Sequence, residues 1–281
     1  DLNKFSFEAI KTSFVIKPSS SSGGQGIILL GRKKENSNVW LSTDGHEYSE
    51  RDLRFHVEDI LEGLYSSVGS TNMAFIEERV PLHPALKKYV EKGVPDLRIL
   101  VFNSVPVMAM LRLPTKESGG RANLHQGGIG VGIDISTGIT LRGVYKGKRV
   151  GYLPGTKLKL NGIKIPEWDK VLKVAVQACE EVGLMYAGAD VLLHSEKGPM
   201  IIELNARPGL AIQIANHAGL RFRLERVEGL QIRNTEHGIR VGKALFAEMF
   251  ADKVKANQGV VIVNVNETVQ IVTPEGWQHS V

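Results

Sequence analysis

Residues 186–206 read YAGADVLLHSEKGPMIIELNA, and the way the two halves of this stretch pair decides the fold. Two β-rich runs flank SEKG (195–198), a turn-forming tetrapeptide. With His194 set opposite Pro199, each step outward keeps the register, and Asp190 falls directly across from Glu203. Their Cβ atoms would then lie about 4.5–5.5 Å apart on one face. Asn205, two positions beyond Glu203, extends the same row. Val191, Leu193, Ile202 and Leu204 take the other face, so IIELN reads as a sheet-interior strand carrying two polar groups on one side.

Two facing carboxylates repel each other unless they share a proton, face solvent, or are bridged by a cation. An oxygen-only set of Asp, Glu and Asn suits magnesium, which takes few carboxylates and fills its shell with water and phosphate oxygens. The third oxygen in the row favours this reading over a shared-proton acid pair and over a solvated acidic sheet.

The second informative stretch is KPSSSSGGQGI (17–27), lying between the β-rich runs SFVIKP (13–18) and GIILLGR (26–32). It lacks the GK[ST] ending of a P-loop and the helix-opening G-x-G-x-x-G of a dinucleotide fold. A glycine-serine loop between two antiparallel strands can still cover a triphosphate with backbone N–H groups and hydroxyls, with Lys17 as a point charge; a flexible surface hairpin would read the same way.

Further along, SERDLRFHVEDILEGLYS (49–66) has helical spacing with Ser49 as N-cap, and MAFIEERV (73–80) is a strand. DLRILVFNSVPVMAMLRL (96–113) reads as two strands joined by an NSVP turn, and HQGGIGVGID (125–134) as a glycine-rich connection. IPEWDKVLKVAVQACEEVG (165–183) is a helix with Pro166 in its first turn and Gly183 at its stop. A second helix is expected over 234–254 and a closing strand or hairpin over 259–272. The order implies an α+β fold with largely antiparallel sheets.

Hydrophobic residues make up 42% and charged residues 23% of the 281, the balance of an ordinary globular protein. The lone Cys179, on an apolar helical stripe, excludes a disulfide framework and reads as helix packing in a reducing compartment. No apolar run is long enough to span a bilayer, so direct membrane insertion is not expected. The net charge is +5, with the densest basic region at 141–165. That region reads as a solvated loop or edge hairpin, or as an attractor of an anionic substrate. Nucleic-acid binding is not expected, because no recognition motif or aromatic interleaving accompanies the charge.

In order and spacing, FVIKP with its Gly/Ser loop, FIEERV, DLRILVFNSVPVMAMLR, ANLHQGG, GADVLL and IIELNARPGLAIQIA resemble the ATP-grasp enzymes. The resemblance is strongest to the α-L-glutamate ligase-like proteins related to the enzyme that adds glutamates to a ribosomal protein, and it runs over 13–250. It implies an α+β ATP-grasp fold: two α/β subdomains with mainly antiparallel sheets clamping ATP between them, divided as 1–78, with the glycine-rich lid, and 79–281, with the metal-binding hairpin.

Residue by residue, the resemblance puts Lys17 on the ATP phosphates and Ser21, Ser22, Gly23, Gly24 and Gly26 in the lid above them. It puts Glu77, Glu78 and Val80 at adenine and ribose, with the contact falling on Glu77 or on its neighbour Glu78. Asp96 faces nucleotide and substrate; Arg98, Arg112, Asn123, His125 and Arg207 are its catalytic candidates. Asp190, Glu203 and Asn205 are its ligands for magnesium, two ions with manganese as a substitute. The family normally carries a preceding domain and a further phosphate-binding lysine, so an upstream part is expected to be missing from this stretch.

The implied activity is ADP-forming carboxylate–amine ligation through an acyl phosphate in the cytoplasm, joining glutamate or another amino acid to a peptide or small molecule. Homo-oligomers are common among such enzymes. The alternatives are an ATP-grasp phosphotransferase that stops at phosphorylation, and a catalytically degenerate regulatory ATP binder.

Overall fold

The computed structural model of the chain describes residues 5–21, 24–34, 37–42, 45–66 and 73–247, and the backbone of 270–272 and 278–280. The chain divides into two compact units, Asp1–Pro81 and Leu82–Val281.

Unit 1 is a five-stranded antiparallel sheet covered by one helix. Its strands are β1 (Phe14–Pro18), β2 (Ile28–Lys33), β3 (Val39–Ser42), β4 (Glu47–Ser49) and β5 (Ala74–Glu78), in the order β4-β3-β2-β1-β5. The polar run after β2 showed no periodicity, so β3 and β4 were not expected from it. Helix α1 (Glu50–Leu61) begins at Ser49, whose hydroxyl accepts from Asp52 N–H while the Asp52 carboxylate accepts from Ser49 N–H. This capping box satisfies two otherwise orphaned amides. Leu53, Val57 and Ile60 of α1 join Phe14, Ile16, Leu30 and Trp40 in the core of this unit.

Unit 2 is built on a seven-stranded antiparallel sheet in the order β10-β9-β8-β7-β6-β11-β12. A short helix α2 (Pro84–Lys87) precedes β6 (Asp96–Phe102) and β7 (Val105–Leu113). Asn103 and Ser104, at φ 49° and 59°, make the two-residue turn between these strands, one tighter than NSVP, so Pro106 sits inside β7. The strand β8 (Ile129–Ile133) then corrects a sequence expectation: GIGVG is no connection but a strand buried at every position. Helix α4 (Ala211–Asn216) explains its glycines. A Cβ on Gly132 would lie 2.7 Å from the Ala215 carbonyl oxygen, and one on Gly130 3.3 Å from the Ala215 methyl group, so the helix can pack this closely only over glycine.

The basic region opens as the hairpin of β9 (Thr140–Tyr145) and β10 (Lys148–Val150). Helix α3 (Trp168–Glu181) starts two residues after Pro166 and stops at Gly183, φ 71°. It buries Val171, Ala175, Val176 and Cys179, and burial pushes the Cys179 thiol up to about 11, so it stays protonated. Next come β11 (Tyr186–His194), β12 (Gly198–Asn205), α4, α5 (Leu220–Glu225) and α6 (Thr235–Leu245). Of the expected closing hairpin, 259–269 lie outside the described residues; β13 (Gln270–Val272) pairs with β14 (Gln278–Ser280). No described helix is long and apolar enough to cross a membrane.

Candidate active site

The hairpin β11–β12 pairs Asp190 with Glu203, but by a different route from the simple one. The turn is one residue tighter, so His194 opposes Gly198 and Leu193 opposes Pro199. A bulge between Asp190 and Val191 then takes up Ile202 and restores Asp190↔Glu203 and Gly188↔Asn205. Two corrections follow. Ile202 does not reach the core but is 43% exposed, and β12 is the edge strand of the sheet rather than an interior one.

The repulsion expected between the two carboxylates is relieved by arginine. Arg98, across the ladder from Asp190, donates from Nε to Oδ1 at 2.8 Å and from Nη2 to Oδ2 at 2.7 Å. Arg112 Nη2 lies 2.8 Å from the same Oδ2, while its Nε donates to Asp96 Oδ1. Asp190 is only 2% exposed, and Asp96 and Arg112 are buried beside it. Two guanidinium groups thus balance two carboxylates in a site that water barely reaches, and each ion is paired as burial demands.

Burial pushes the Asp96 carboxyl up to about 6; Arg112 pulls it back, and Asp190 adds to the rise. Burial alone would lower Arg112, but Asp96 and Asp190 together raise it well above the usual arginine value, so it stays charged.

On the same face, Glu203 is exposed and carries no hydrogen bond or ion pair among the described residues. Asn205 Oδ1 accepts from Arg207 N–H at 3.0 Å, and the Arg207 side chain is exposed. No group of three or more His, Cys, Asp or Glu side chains is gathered to hold a metal among the described residues. The smaller set here does fit a hard divalent cation. Glu203 is open, Asn205 adds a neutral oxygen, and Asp190 Oδ1 accepts only one donor and keeps a lone-pair site.

Asn123 and His125 lie together in an exposed 3-10 turn, where Asn123 Oδ1 accepts from His125 N–H at 3.0 Å. Asn123 therefore shapes the loop that presents His125.

In unit 1 the ladder separates two neighbouring candidates. Val15 opposes Glu77 and Lys17 opposes Phe75, so Lys17 and Glu77 share a face; Glu78, opposite Phe14, belongs to the other. Lys17 Nζ lies 2.7 Å from Glu77 Oε2. Val80 follows the strand and is half-buried. Of the lid residues, Ser22 and Gly23 lie outside the described residues; Ser21, Gly24 and Gly26 are described. Gly26 is fixed from α1 in a way the sequence did not show: His56 Nε2 donates to its carbonyl at 2.9 Å, and Tyr65 fills the space a side chain there would need. A histidine on a helix gives no such signal, because its partner lies 30 residues away.

A family model described as sugar-transfer associated ATP-grasp matches residues 2–229. Among curated proteins, the chain is similar to a probable alpha-L-glutamate ligase of Enterobacter sp. (strain 638), 26% identical over 129 residues, 46% of this chain and 32% of that one. It is also similar to the probable alpha-L-glutamate ligase of Mannheimia succiniciproducens, 32% identical over 120 residues, 43% of this chain and 29% of the relative. The match thus spans about a third of the length of these relatives. Among solved structures it is similar to the ATP-grasp ligase PsnB complexed with a minimal precursor, at 14% identity and TM-score 0.34, covering 78% of this chain and 49% of that one. The α+β architecture with two antiparallel sheets agrees with the family match. The chain belongs to the sugar-transfer associated ATP-grasp family.

Proposed function

We propose that this chain carries the ATP-dependent step of an ADP-forming carboxylate–amine ligase, with glutamate or another amino acid joined to a peptide or small molecule. The observation that carries the reading is the row Arg98–Asp190–Glu203 with Asn205 beside it on one face of the unit 2 sheet. It combines oxygen ligands for a cation with fixed positive charge for phosphate. The similarity to probable alpha-L-glutamate ligases supports the choice of ligation.

In the proposed reaction, a carboxylate oxygen attacks the γ-phosphorus of ATP and ADP leaves. The nitrogen of an amine then attacks the acyl carbon, phosphate leaves, and one proton is released. The chemistry asks for positioning and charge neutralisation rather than a protein nucleophile.

In unit 1, Lys17 is assigned to the phosphates, Ser21 to Gly26 to the lid, and Glu77 with Val80 to the nucleoside; the ladder favours Glu77 over Glu78 because it shares the face of Lys17. In unit 2, Arg98 and Arg112 spread positive charge over the transferred phosphoryl group, with Asp96 and Asp190 holding them in place. Asp190, Glu203 and Asn205 are assigned to magnesium, with manganese as a substitute; when bound, it neutralises phosphate oxygens. His125 and Arg207, both exposed, are assigned to the incoming substrates.

The test is magnesium-dependent ADP release against a panel of amino acids, dipeptides and acidic peptides, with Glu203→Gln beside it. Release that requires both an acid and an amine, and is lost in the variant, is expected. Release that needs no amine would instead identify a phosphotransferase, and ATP binding without turnover a regulatory module.

A further inference from the structure

The hairpin β9–β10 holds two arginines that the site above does not use. Arg149 on β10 is two residues after the turn glycine Gly147 and pairs with Val144; Arg142 on β9 lies two residues before Val144. Alternation along the strands therefore puts both arginines on the face of Val144. Val144 in turn pairs with Gly130, and Gly130 with Arg112, so this is the face that carries Arg98, Asp190 and Glu203. Helix α4 lies over the glycines between them, and its C-cap is His217.

Neither arginine has a carboxylate partner among the described residues, unlike Arg98 and Arg112. Both line a hollow of about 350 Å³ together with Leu141, Val150, Gly151 and Asn161. The wall is held firmly: Leu160 N–H donates to the Gly151 carbonyl at 3.0 Å, and Thr140 Oγ1 donates to the Leu160 carbonyl at 2.6 Å. His217 caps α4, the helix that packs on β9 beside the hollow. Partial burial, then Arg149 and Arg142, hold its imidazole below the usual histidine value, so at neutral pH it is an uncharged hydrogen-bonding group.

We infer that Arg142 and Arg149, with Asn161 beside them, form an oxyanion site that takes a carboxylate or phosphate at the far end of an elongated acceptor. The assignment to an acceptor rests on the ligase reading; the anion site itself does not. Two guanidinium groups on adjacent strands, without a carboxylate partner among the described residues and with Asn161 lining the same hollow, offer the forked donors that such groups accept. With strands about 4.8 Å apart, β9 lies roughly 14 Å from the strand of Arg98 and roughly 19 Å from that of Asp190. Helix α4 covers the strands between, so an acceptor reaching from one to the other runs around this helix and is longer than the straight path of about five or six extended residues. A single amino acid is too short.

Two measurements test this. The first follows the His217 ring signals by NMR at constant ionic strength, with inorganic phosphate or glutarate added to the wild-type chain and to Arg142→Gln/Arg149→Gln. A saturable shift that weakens at least tenfold in the variant is expected, and the stronger of the two anions identifies the preferred group. No saturable shift, or the same shift in the variant, overturns the anion site. The second compares KM for a ten-residue peptide ending in an acidic residue with KM for its neutral counterpart. The variant should raise the first at least about tenfold and leave the second unchanged; an equal change in both overturns the acceptor assignment. If no peptide promotes ADP release from the wild type, the ligase reading fails, and the NMR titration still decides the anion site.

Discussion

Arg98, half-buried, and Arg112, buried, pack against Asp190 and Asp96, whereas Arg142 and Arg149, nearer the opposite edge of the same sheet face, reach an open hollow with no carboxylate partner among the described residues. Residue type and sheet face are the same in both pairs; burial and partners differ. The first pair is bound into the fold, because each buried ion would be left uncompensated if its partner were removed. The second is free to bind something else.

Removing the shared partner should break this contrast most visibly. Asp190→Ala leaves the half-buried Arg98 without a carboxylate and Arg112 with Asp96 alone, and should cost about 3–5 kcal/mol in a denaturant titration. A loss below about 1 kcal/mol would mean that Arg98 reaches solvent and that its pairing with Asp190 is a surface ion pair in effect. Gly132→Val tests the helix that lies between the two pairs. Its Cβ would meet the Ala215 carbonyl, and a destabilisation of about 1–3 kcal/mol is expected.

The pH dependence sharpens the comparison from another side. Since burial raises Asp96 from 3.8 to about 6, its contribution to stability is fully present below 3.8 and is lost as pH rises through about 6. Asp96→Asn should flatten the stability profile across that window. Carboxyl NMR should show Asp96 titrating near 6 in the wild type and higher still in Arg112→Met, which removes the charge that pulls it down. The smallest effect belongs to the exposed pair. Arg142→Gln or Arg149→Gln should shift stability by no more than about 0.5 kcal/mol, the mark of a surface residue without a structural partner.

Much of the fold and the opposition of Asp190 and Glu203 were legible because period-2 and helical patterns are local. Ser49 and the stripe around Cys179 needed only their neighbours. The strand GIGVG was not legible, since its glycines answer to Ala215, more than 80 residues later. The bulge at Ile202 was hidden for a similar reason: a tighter turn and a bulge cancel, so the simple register reached the right pair through the wrong intermediate positions. The carboxylate row was readable in the sequence, but its neutralisation was not, because Arg98 and Arg112 come from strands about 90 and 80 residues upstream of Asp190. The hollow at Arg142 and Arg149 needs Asn161 brought beside the β9–β10 hairpin, and only the general basic character of 141–165 pointed to it.

The central claim is that the Asp190–Glu203 row holds a magnesium–nucleotide complex. Calorimetric titration of ATP into the wild-type chain and into Glu203→Gln, each with and without magnesium, tests it most directly. The account predicts that magnesium strengthens ATP binding in the wild type and that the exposed Glu203→Gln change abolishes this gain while leaving the thermal midpoint unchanged. Equal magnesium dependence in both proteins would contradict it.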